Sequence, residues 1–281
     1  MVREPTETHV SIHDIDLAVW HWPGELPAIV LCHPTGFHAR CWDQIVARLP
    51  NRLCIAPDFR GHGRSSKPQP PYHWRSFGED VAGLLREWDI RDAVGVGHSM
   101  GGHATVLAAA LQPRAFARLL LLDPVIRPRA AYTGPVAEVD FVLRRRNFWD
   151  SPEQMFERFQ SRPPFQSWDA AILRDYCNFG LLPAATGDGF VLACPPAIEA
   201  SIYAHNSERQ SDLYAEIQHI QIPVHIIRSS GEFGASNFQA SPTAPDLASF
   251  FPHGQDTPLT GATHFFPMEA PGLTAQLIAA S

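Results

Sequence analysis

Five short apolar runs are bounded by glycine, proline and aspartate, and stretches with helical spacing lie between them. This pattern is typical of parallel strands joined by crossover helices. The runs predict a buried parallel sheet with strands at residues 28–32, 53–56, 93–96, 119–122 and 224–227. The residues before them, 9–22, predict an antiparallel hairpin at the start of the sheet.

The strand signal is missing between residues 123 and 223, a stretch far too long for a plain connection in a compact domain. Four segments in this stretch have helical spacing, and two of them open with proline-containing start signals, Ser151-Pro152-Glu153 and Pro195-Pro196. We therefore predict an α/β core formed by residues 1–126 and 213–281, with a helical cap inserted at residues 127–212.

The chain of 281 residues is long enough for one such core and an insertion. Its net charge of −7 argues against a nucleic-acid partner, because nucleic-acid binding depends on Lys and Arg. The basic run at residues 144–146 is interpreted as a solvated helix face. No apolar run reaches membrane-spanning length, and the first residues are too charged for a signal peptide, so we expect a cytoplasmic protein without a membrane partner.

The cysteines show neither a CxxC motif nor the Cys/His spacing of a metal site, and they are Cys32, Cys41, Cys54, Cys177 and Cys194. A reduced thiol inside an apolar run behaves as a small hydrophobic group. We therefore predict packing roles for the cysteines and no bound metal.

The strongest chemical signal is the segment GHSMGG at residues 97–102, between a predicted strand and a predicted helix. It fits the G-x-S-x-G nucleophile elbow, a sharp turn that exposes Ser99 and needs small residues at Gly97 and Gly101. The helix behind it points its N–H groups at the site, so the backbone N–H of Met100 is the expected first oxyanion donor. The alternative is a glycine-rich turn that contains a serine by chance.

Three further motifs occur in order with the elbow, namely HPTGF at residues 33–37, DFRGHGRS at 58–65 and GATHF at 261–265. Together they span nearly the whole chain, which resembles the α/β-hydrolase superfamily in its capped branch of esterases, lactonases, carbon–carbon bond hydrolases and epoxide hydrolases. The resemblance implies a mostly parallel, twisted sheet flanked by helices, with an inserted helical cap.

The resemblance also implies roles for single residues. His264 is the expected base for Ser99, and the backbone N–H of Thr35 is the expected second oxyanion donor. Pro34 departs from the family pattern, which has glycine there, and proline lacks an N–H and has a fixed φ. The other histidines of these motifs, His62, His98 and His103, are interpreted as scaffold or packing residues.

The acid of the triad has two candidates. In the usual pattern it follows the strand after the cap, where Glu232 lies, and in a minority pattern it follows the strand before the cap, where Asp123 lies. We favour Asp123 because a carboxylate that ends an apolar strand is costly unless it is paired, and His264 would pair it. The alternative for Asp123 is a strand-end residue that bonds nearby backbone N–H groups.

A serine nucleophile indicates acyl-enzyme chemistry, whereas haloalkane dehalogenases and most epoxide hydrolases of this fold have aspartate at the elbow. The leading hypothesis is hydrolysis of a small, largely apolar carboxylic ester or lactone. The first alternative is a carbon–carbon bond hydrolase of a vinylogous diketone, and the second is a non-catalytic ligand receptor or scaffold.

The expected partner is a small-molecule substrate, and a homo-oligomer is compatible with the sequence. No metal or organic cofactor is expected, because side chains and backbone donors supply every step of acyl transfer. Cap aromatics are candidates for lining the pocket, and they include Phe148, Trp149, Phe165 and Trp168.

Overall fold

The computed structural model describes residues 3–135, 139–230 and 240–281. Strands occur in both the core and the segment predicted as the cap. They are β1 (Thr6–Ile12), β2 (Ile15–Trp22), β3 (Glu25–Cys32), β4 (Arg52–Pro57), β5 (Ala93–His98), β6 (Phe116–Leu122), β7 (Phe148–Trp149), β8 (Leu181–Pro183), β9 (Phe190–Leu192), β10 (Val224–Ser229) and β11 (Gly254–Leu259).

Eight of these strands form one sheet in the order β1-β2-β4-β3-β5-β6-β10-β11. Strands β1 and β2 form the predicted antiparallel hairpin, and β2 pairs antiparallel with β4. The remaining pairs, from β4 across to β11, are parallel. The five predicted buried strands and the α/β fold class are therefore confirmed.

The helices are α1 (Asp43–Val46), α2 (Trp74–Glu87), α3 (Met100–Leu111), α4 (Asp140–Leu143), α5 (Pro152–Phe159), α6 (Ala170–Phe179), α7 (Pro196–Ala204), α8 (Tyr214–Ile217), α9 (Phe266–Glu269) and α10 (Pro271–Ala280). None of the helices in the described ranges is both long and apolar enough to cross a membrane.

The four leucines that end β6 show how the sheet divides the core. Successive side chains of a strand point to opposite faces. Leu119 and Leu121 belong to the apolar cluster that includes α2 and α3, while Leu120 and Leu122 belong to the cluster that includes α1 and α10. Both faces of the strand are thus covered by helices, which explains why its sequence is a continuous apolar run.

The segment between β6 and β10 contains five of the helices, α4 to α8, and it also contains a small antiparallel sheet in the order β7-β9-β8. The prediction of helices alone was incomplete, because strands of two or three residues are too short to show alternation. The start signal at Ser151 is confirmed, since its side chain accepts the N–H of Gln154 and Pro152 is the first residue of α5. The cap boundaries at 127 and 212 stay a prediction.

Candidate active site

Ser99 lies at the sharp turn between β5 and α3. Its φ of 58° is in the region that residues other than glycine seldom adopt, and its ψ is −121°. Such a conformation is strained and persists only where the surrounding structure enforces it. Here the turn leaves the Ser99 side chain at the carboxyl end of the sheet, beside the first turn of α3.

The glycines of the elbow allow the strand, the helix and the neighbouring loop to approach closely. A Cβ on Gly97 would lie 2.4 Å from the carbonyl oxygen of Gly101, and a Cβ on Gly101 would lie 2.1 Å from the carbonyl oxygen of Cys32. Both distances are far below contact distance and both neighbours are backbone atoms. Glycine is therefore required at both positions, as the motif predicted.

Three of the sequence-predicted site residues come together around His264. The Nε2 atom of His264 lies 3.0 Å from Ser99 Oγ, and its Nδ1 atom lies 2.7 Å from Asp123 Oδ2. Since a carboxylate accepts hydrogen bonds, Nδ1 carries the proton and Nε2 is left to accept the Ser99 hydroxyl. This is the geometry that a serine nucleophile and its base require.

Asp123 is fully buried, and its φ of 45° turns the chain directly after β6. Besides His264, its carboxylate accepts the backbone N–H of Ser229 at 3.1 Å, the Ser229 hydroxyl at 3.1 Å and the Ser241 hydroxyl at 2.5 Å. The Thr243 hydroxyl lies at 3.4 Å. These bonds compensate the cost of burying a carboxylate.

Sequence reasoning missed the three residues that hold Asp123 in place, because they lie more than a hundred positions away along the chain. The position of Ser229 two residues past the predicted strand end was a weak signal, and Ser241 and Thr243 gave none. The second acid candidate, Glu232, lies outside the described residues.

The two residues expected to supply the oxyanion donors, Met100 and Thr35, contact each other through their side chains. Met100 is the first residue of α3, so its N–H has no acceptor within the helix. The Thr35 hydroxyl donates to Met100 Sδ at 3.3 Å. The N–H of Thr35 donates to no acceptor among the described residues, whereas that of the next residue, Gly36, donates to His62 Nε2 at 3.0 Å. The oxyanion role of both N–H groups stays a prediction.

Two buried histidines fix the loop that carries Thr35. His33 donates from Nδ1 to the Pro34 carbonyl at 2.8 Å and accepts the N–H of Phe59 on Nε2 at 3.1 Å. His62 donates from Nδ1 to the Arg60 carbonyl at 3.0 Å, which leaves Nε2 for the N–H of Gly36. Burial lowers the pKa of His33 to about 3, so the ring stays neutral as these bonds require.

His98 does more than pack. Its Nε2–H donates to the carbonyl oxygen of His264 at 2.8 Å, and its ring lies 5.1 Å from the His264 ring. Burial, with the neighbouring His264, lowers the pKa of His98 well below the ordinary value. His98 therefore holds the loop that carries His264. By contrast, His103 bonds the carbonyl oxygen of Ser211, away from that loop.

A cavity of about 430 Å³ opens next to these residues, and it reaches the site at Thr35 and Phe265. Most of its wall comes from the segment between β6 and β10. Three of the four aromatic candidates from the sequence line it, and the fourth, Phe148, does not. The aromatic lining includes Phe37, Trp149, Phe159, Phe165, Trp168, Tyr176 and Tyr203.

One group of side chains in the described ranges has the spacing of a metal site. His73, His205 and Glu208 offer ligand atoms that all lie within 4.8 Å of one another. Their further hydrogen bonds join Gln210 and the carbonyl oxygen of Ser201 rather than the Ser99 site.

Comparison with known proteins adds to this geometry. The model of the Alpha/beta hydrolase family matches residues 29–277. The chain is 27% identical over 268 residues to 2-(acetamidomethylene)succinate hydrolase of Mesorhizobium japonicum, which covers 91% of this chain and 87% of that protein. A crystal structure of E-2-(acetamidomethylene)succinate hydrolase superposes with a TM-score of 0.79 at 24% identity, over 99% of this chain and 98% of the other.

Another relative matches over a shorter stretch. An uncharacterised protein of Mycobacterium bovis is 34% identical over 123 residues, which is 43% of this chain and 36% of that protein. The chain thus aligns with about a third of the length of this mycobacterial relative.

Proposed function

Because the chain belongs to the alpha/beta hydrolase family and is a hydrolase, we propose that it cleaves a small carboxylic ester or lactone through an acyl-enzyme intermediate on Ser99. The observation that carries this proposal is the continuous chain of hydrogen bonds from Ser99 through His264 to the buried carboxylate of Asp123.

In the first half of the reaction, Ser99 Oγ attacks the acyl carbon while His264 Nε2 takes the hydroxyl proton. The carbonyl oxygen becomes an oxyanion, which the N–H groups of Met100 and Thr35 stabilise. When the intermediate collapses, the bond between the acyl carbon and the alkoxide oxygen breaks, and His264 returns its proton to that oxygen. Asp123 stabilises the imidazolium in between and keeps the required tautomer.

In the second half, a water molecule replaces the alcohol. His264 removes one proton from the water, the resulting hydroxide attacks the acyl carbon, and the proton passes to Ser99 Oγ as the acyl bond breaks. The products are a carboxylic acid and the regenerated enzyme. For a lactone, the alcohol and the acid remain parts of one molecule.

The aromatic lining of the cavity supports an apolar body in the substrate. We propose the segment at 127–212 as the cap. Because it supplies most of the cavity wall, it would determine the substrate specificity. We propose a cytoplasmic enzyme that acts on small molecules and does not bind membranes. The net charge of −7 supports the further proposal that it does not bind nucleic acid. A homo-oligomer is compatible with this proposal.

A carbon–carbon bond hydrolase would use the same three side chains. The two reactions must therefore be distinguished by which substrates the enzyme turns over. The test is turnover of p-nitrophenyl esters against turnover of vinylogous diketones from ring cleavage. We expect ester hydrolysis, together with labelling of the wild-type enzyme by a fluorophosphonate probe and no labelling of Ser99→Ala. Faster turnover of the diketones would favour the alternative, and the absence of labelling would favour a non-catalytic receptor.

A further inference from the structure

The wall of the cavity has a charge opposite to that of the whole protein. The chain has a net charge of −7, yet the charged residues that line the cavity within the described ranges are one carboxylate, Glu199, and five arginines, Arg144, Arg145, Arg146, Arg158 and Arg162. A cleft lined by charges of one sign raises the local concentration of ligands of the other sign. The arginines should therefore favour the entry of negatively charged substrates.

Three of these arginines already have partners. One Nη atom of Arg145 contacts both carboxylate oxygens of Glu199, and the other lies 3.2 Å from the Tyr176 hydroxyl. Arg146 donates to the carbonyl oxygen of Phe148 and to a side-chain oxygen. Arg144 is exposed and lies 3.8 Å from Asp140. Arg145 and Arg146 therefore have little capacity left for a second anion, and the exposed pair of Arg144 with Asp140 is weak.

Arg158 and Arg162 differ from the other three. Both are exposed, and neither lies within ion-pair distance of a carboxylate in the described part of the chain. Arg158 is in the last turn of α5, and the N–H of Arg162 donates to the carbonyl oxygen of Phe159, so the chain coils for one more turn. Side chains four positions apart on such a coil lie on the same side.

Flat aromatic surface lies next to these two arginines. The rings of Phe159 and Phe165 stack at 4.3 Å with an interplanar angle of 3°, and Phe165 packs edge-on against Trp168. Trp168 in turn lies 5.5 Å from Phe265, the neighbour of His264. The cavity thus runs from Arg158 and Arg162, along an aromatic wall, to Thr35 and Phe265, the neighbour of His264.

We propose that the substrate carries a free carboxylate remote from its scissile carbonyl, and that Arg158 and Arg162 bind this carboxylate. A guanidinium offers paired N–H donors that match the two oxygens of a carboxylate. The inference rests on the proposed function, because the scissile carbonyl must reach Ser99. It adds an anionic end to the apolar substrate that the sequence suggested.

The test compares two activated esters that differ in charge, mono-p-nitrophenyl glutarate and p-nitrophenyl valerate. For the wild-type enzyme at low ionic strength, we expect kcat/KM for the acidic ester to exceed that for the neutral ester by about tenfold or more, since charge-assisted bonds are the stronger ones. The preference should shrink as salt is added, because the arginines are exposed.

The double variant Arg158→Gln/Arg162→Gln should lose this preference through a higher KM for the acidic ester, and the change in kcat/KM should be larger for the acidic ester than for the neutral one. The matched control is Arg86→Gln/Arg114→Gln, which changes the net charge by the same amount at exposed positions outside the cavity. The control should keep the preference.

The outcomes separate the two proposals. One outcome is that the ratio of kcat/KM for the acidic ester to kcat/KM for the neutral ester is the same in wild type and in the double variant, while Ser99 still reacts with a fluorophosphonate. In that case the carboxylate inference is wrong and the acyl-enzyme proposal stands. An equal loss of preference in the control would also overturn it, because the effect would then be one of overall charge. If wild type neither labels nor turns over either ester, the proposed function itself fails.

Discussion

The two ends of the cavity are built in different ways. At the core end, the groups around Ser99 are buried and held by several bonds each, and Asp123 alone accepts from His264, from the hydroxyls of Ser229 and Ser241 and from one backbone N–H. At the cap end, Arg158 and Arg162 are exposed and have no anionic partner in the described ranges. In our proposal, the difference separates a fixed reaction geometry from a surface that binds the substrate carboxylate.

This contrast has a physical reason. A base and its nucleophile lose rate when they are displaced by a fraction of an ångström, so their positions must be enforced by packing and by hydrogen bonds. A guanidinium that is to bind a substrate must instead stay available, and its long side chain adjusts to the ligand. Changes at the core end should therefore affect kcat, and changes at the cap end should affect KM.

The largest effect should follow from Asp123→Asn. The amide cannot accept the Nδ1 proton as the carboxylate does, so the imidazole takes the wrong tautomer and kcat falls by about ten-thousand-fold. Steady-state hydrolysis of a p-nitrophenyl ester measures this. Glu232→Gln is the matched variant and should keep its activity; the reverse result would make Glu232 the acid.

The next effect concerns stability at the cap end. Glu199 is buried against Gly36 in the loop of Thr35, and it pairs with Arg145. Glu199→Ala leaves that guanidinium without its partner, which should lower the free energy of unfolding by about 3 kcal/mol in urea denaturation. The exposed pair of Glu153 and Arg174 is the control, where Glu153→Ala should cost less than about 1 kcal/mol. Equal losses would contradict this account.

A smaller effect is expected for the positioning residue His98. His98→Leu should reduce kcat by about tenfold or more with KM nearly unchanged, because leucine has no donor for the His264 carbonyl oxygen and the loop of His264 loses a bond. His103→Leu removes the corresponding bond to Ser211 and should leave kcat as it is. A parallel change in KM for His98→Leu would indicate a structural role instead.

The last effect is on the pH dependence of stability, where the change per pH unit is small. Burial lowers the pKa of His103 to about 4, below its value of about 6.5 in the unfolded chain. The unfolded state therefore binds a proton that the folded state does not, and the stability present above pH 6.5 is lost as the pH falls towards 4. The slope is about 1.4 kcal/mol per pH unit for one histidine. His103→Gln should flatten a urea series by this amount, and an unchanged slope would contradict the assignment.

The residues that the structure brings together at the core end have local signals in the sequence. The elbow, the glycines around Ser99 and the apolar run before Asp123 each lie within a few residues of the group that they position, so motif and strand patterns identify them. What the sequence could not show is the set of bonds that hold these groups, such as those from Ser241 or from His98, because the partners meet only in the folded chain.

The cap end was harder to predict. The basic run at 144–146 was interpreted as a solvated face, but Arg145 is only 26% exposed and pairs with Glu199, which lies 54 positions away. Arg158 and Arg162 gave no signal in the sequence. Exposed arginines in the last turn of a helix and just after it are common, and only the folded structure shows that these two line a cavity. The short strands β7, β8 and β9 were missed for lack of length.

The most direct test of the central claim is to trap the acyl-enzyme. Wild-type protein is mixed with p-nitrophenyl acetate, quenched in acid within the first turnovers and analysed by intact mass and by peptide mapping. We expect one added acetyl group, on Ser99, and none in Ser99→Ala or after long incubation, when water has removed it. Turnover of the ester with the acetyl group on another residue, or with none at all, would contradict the account.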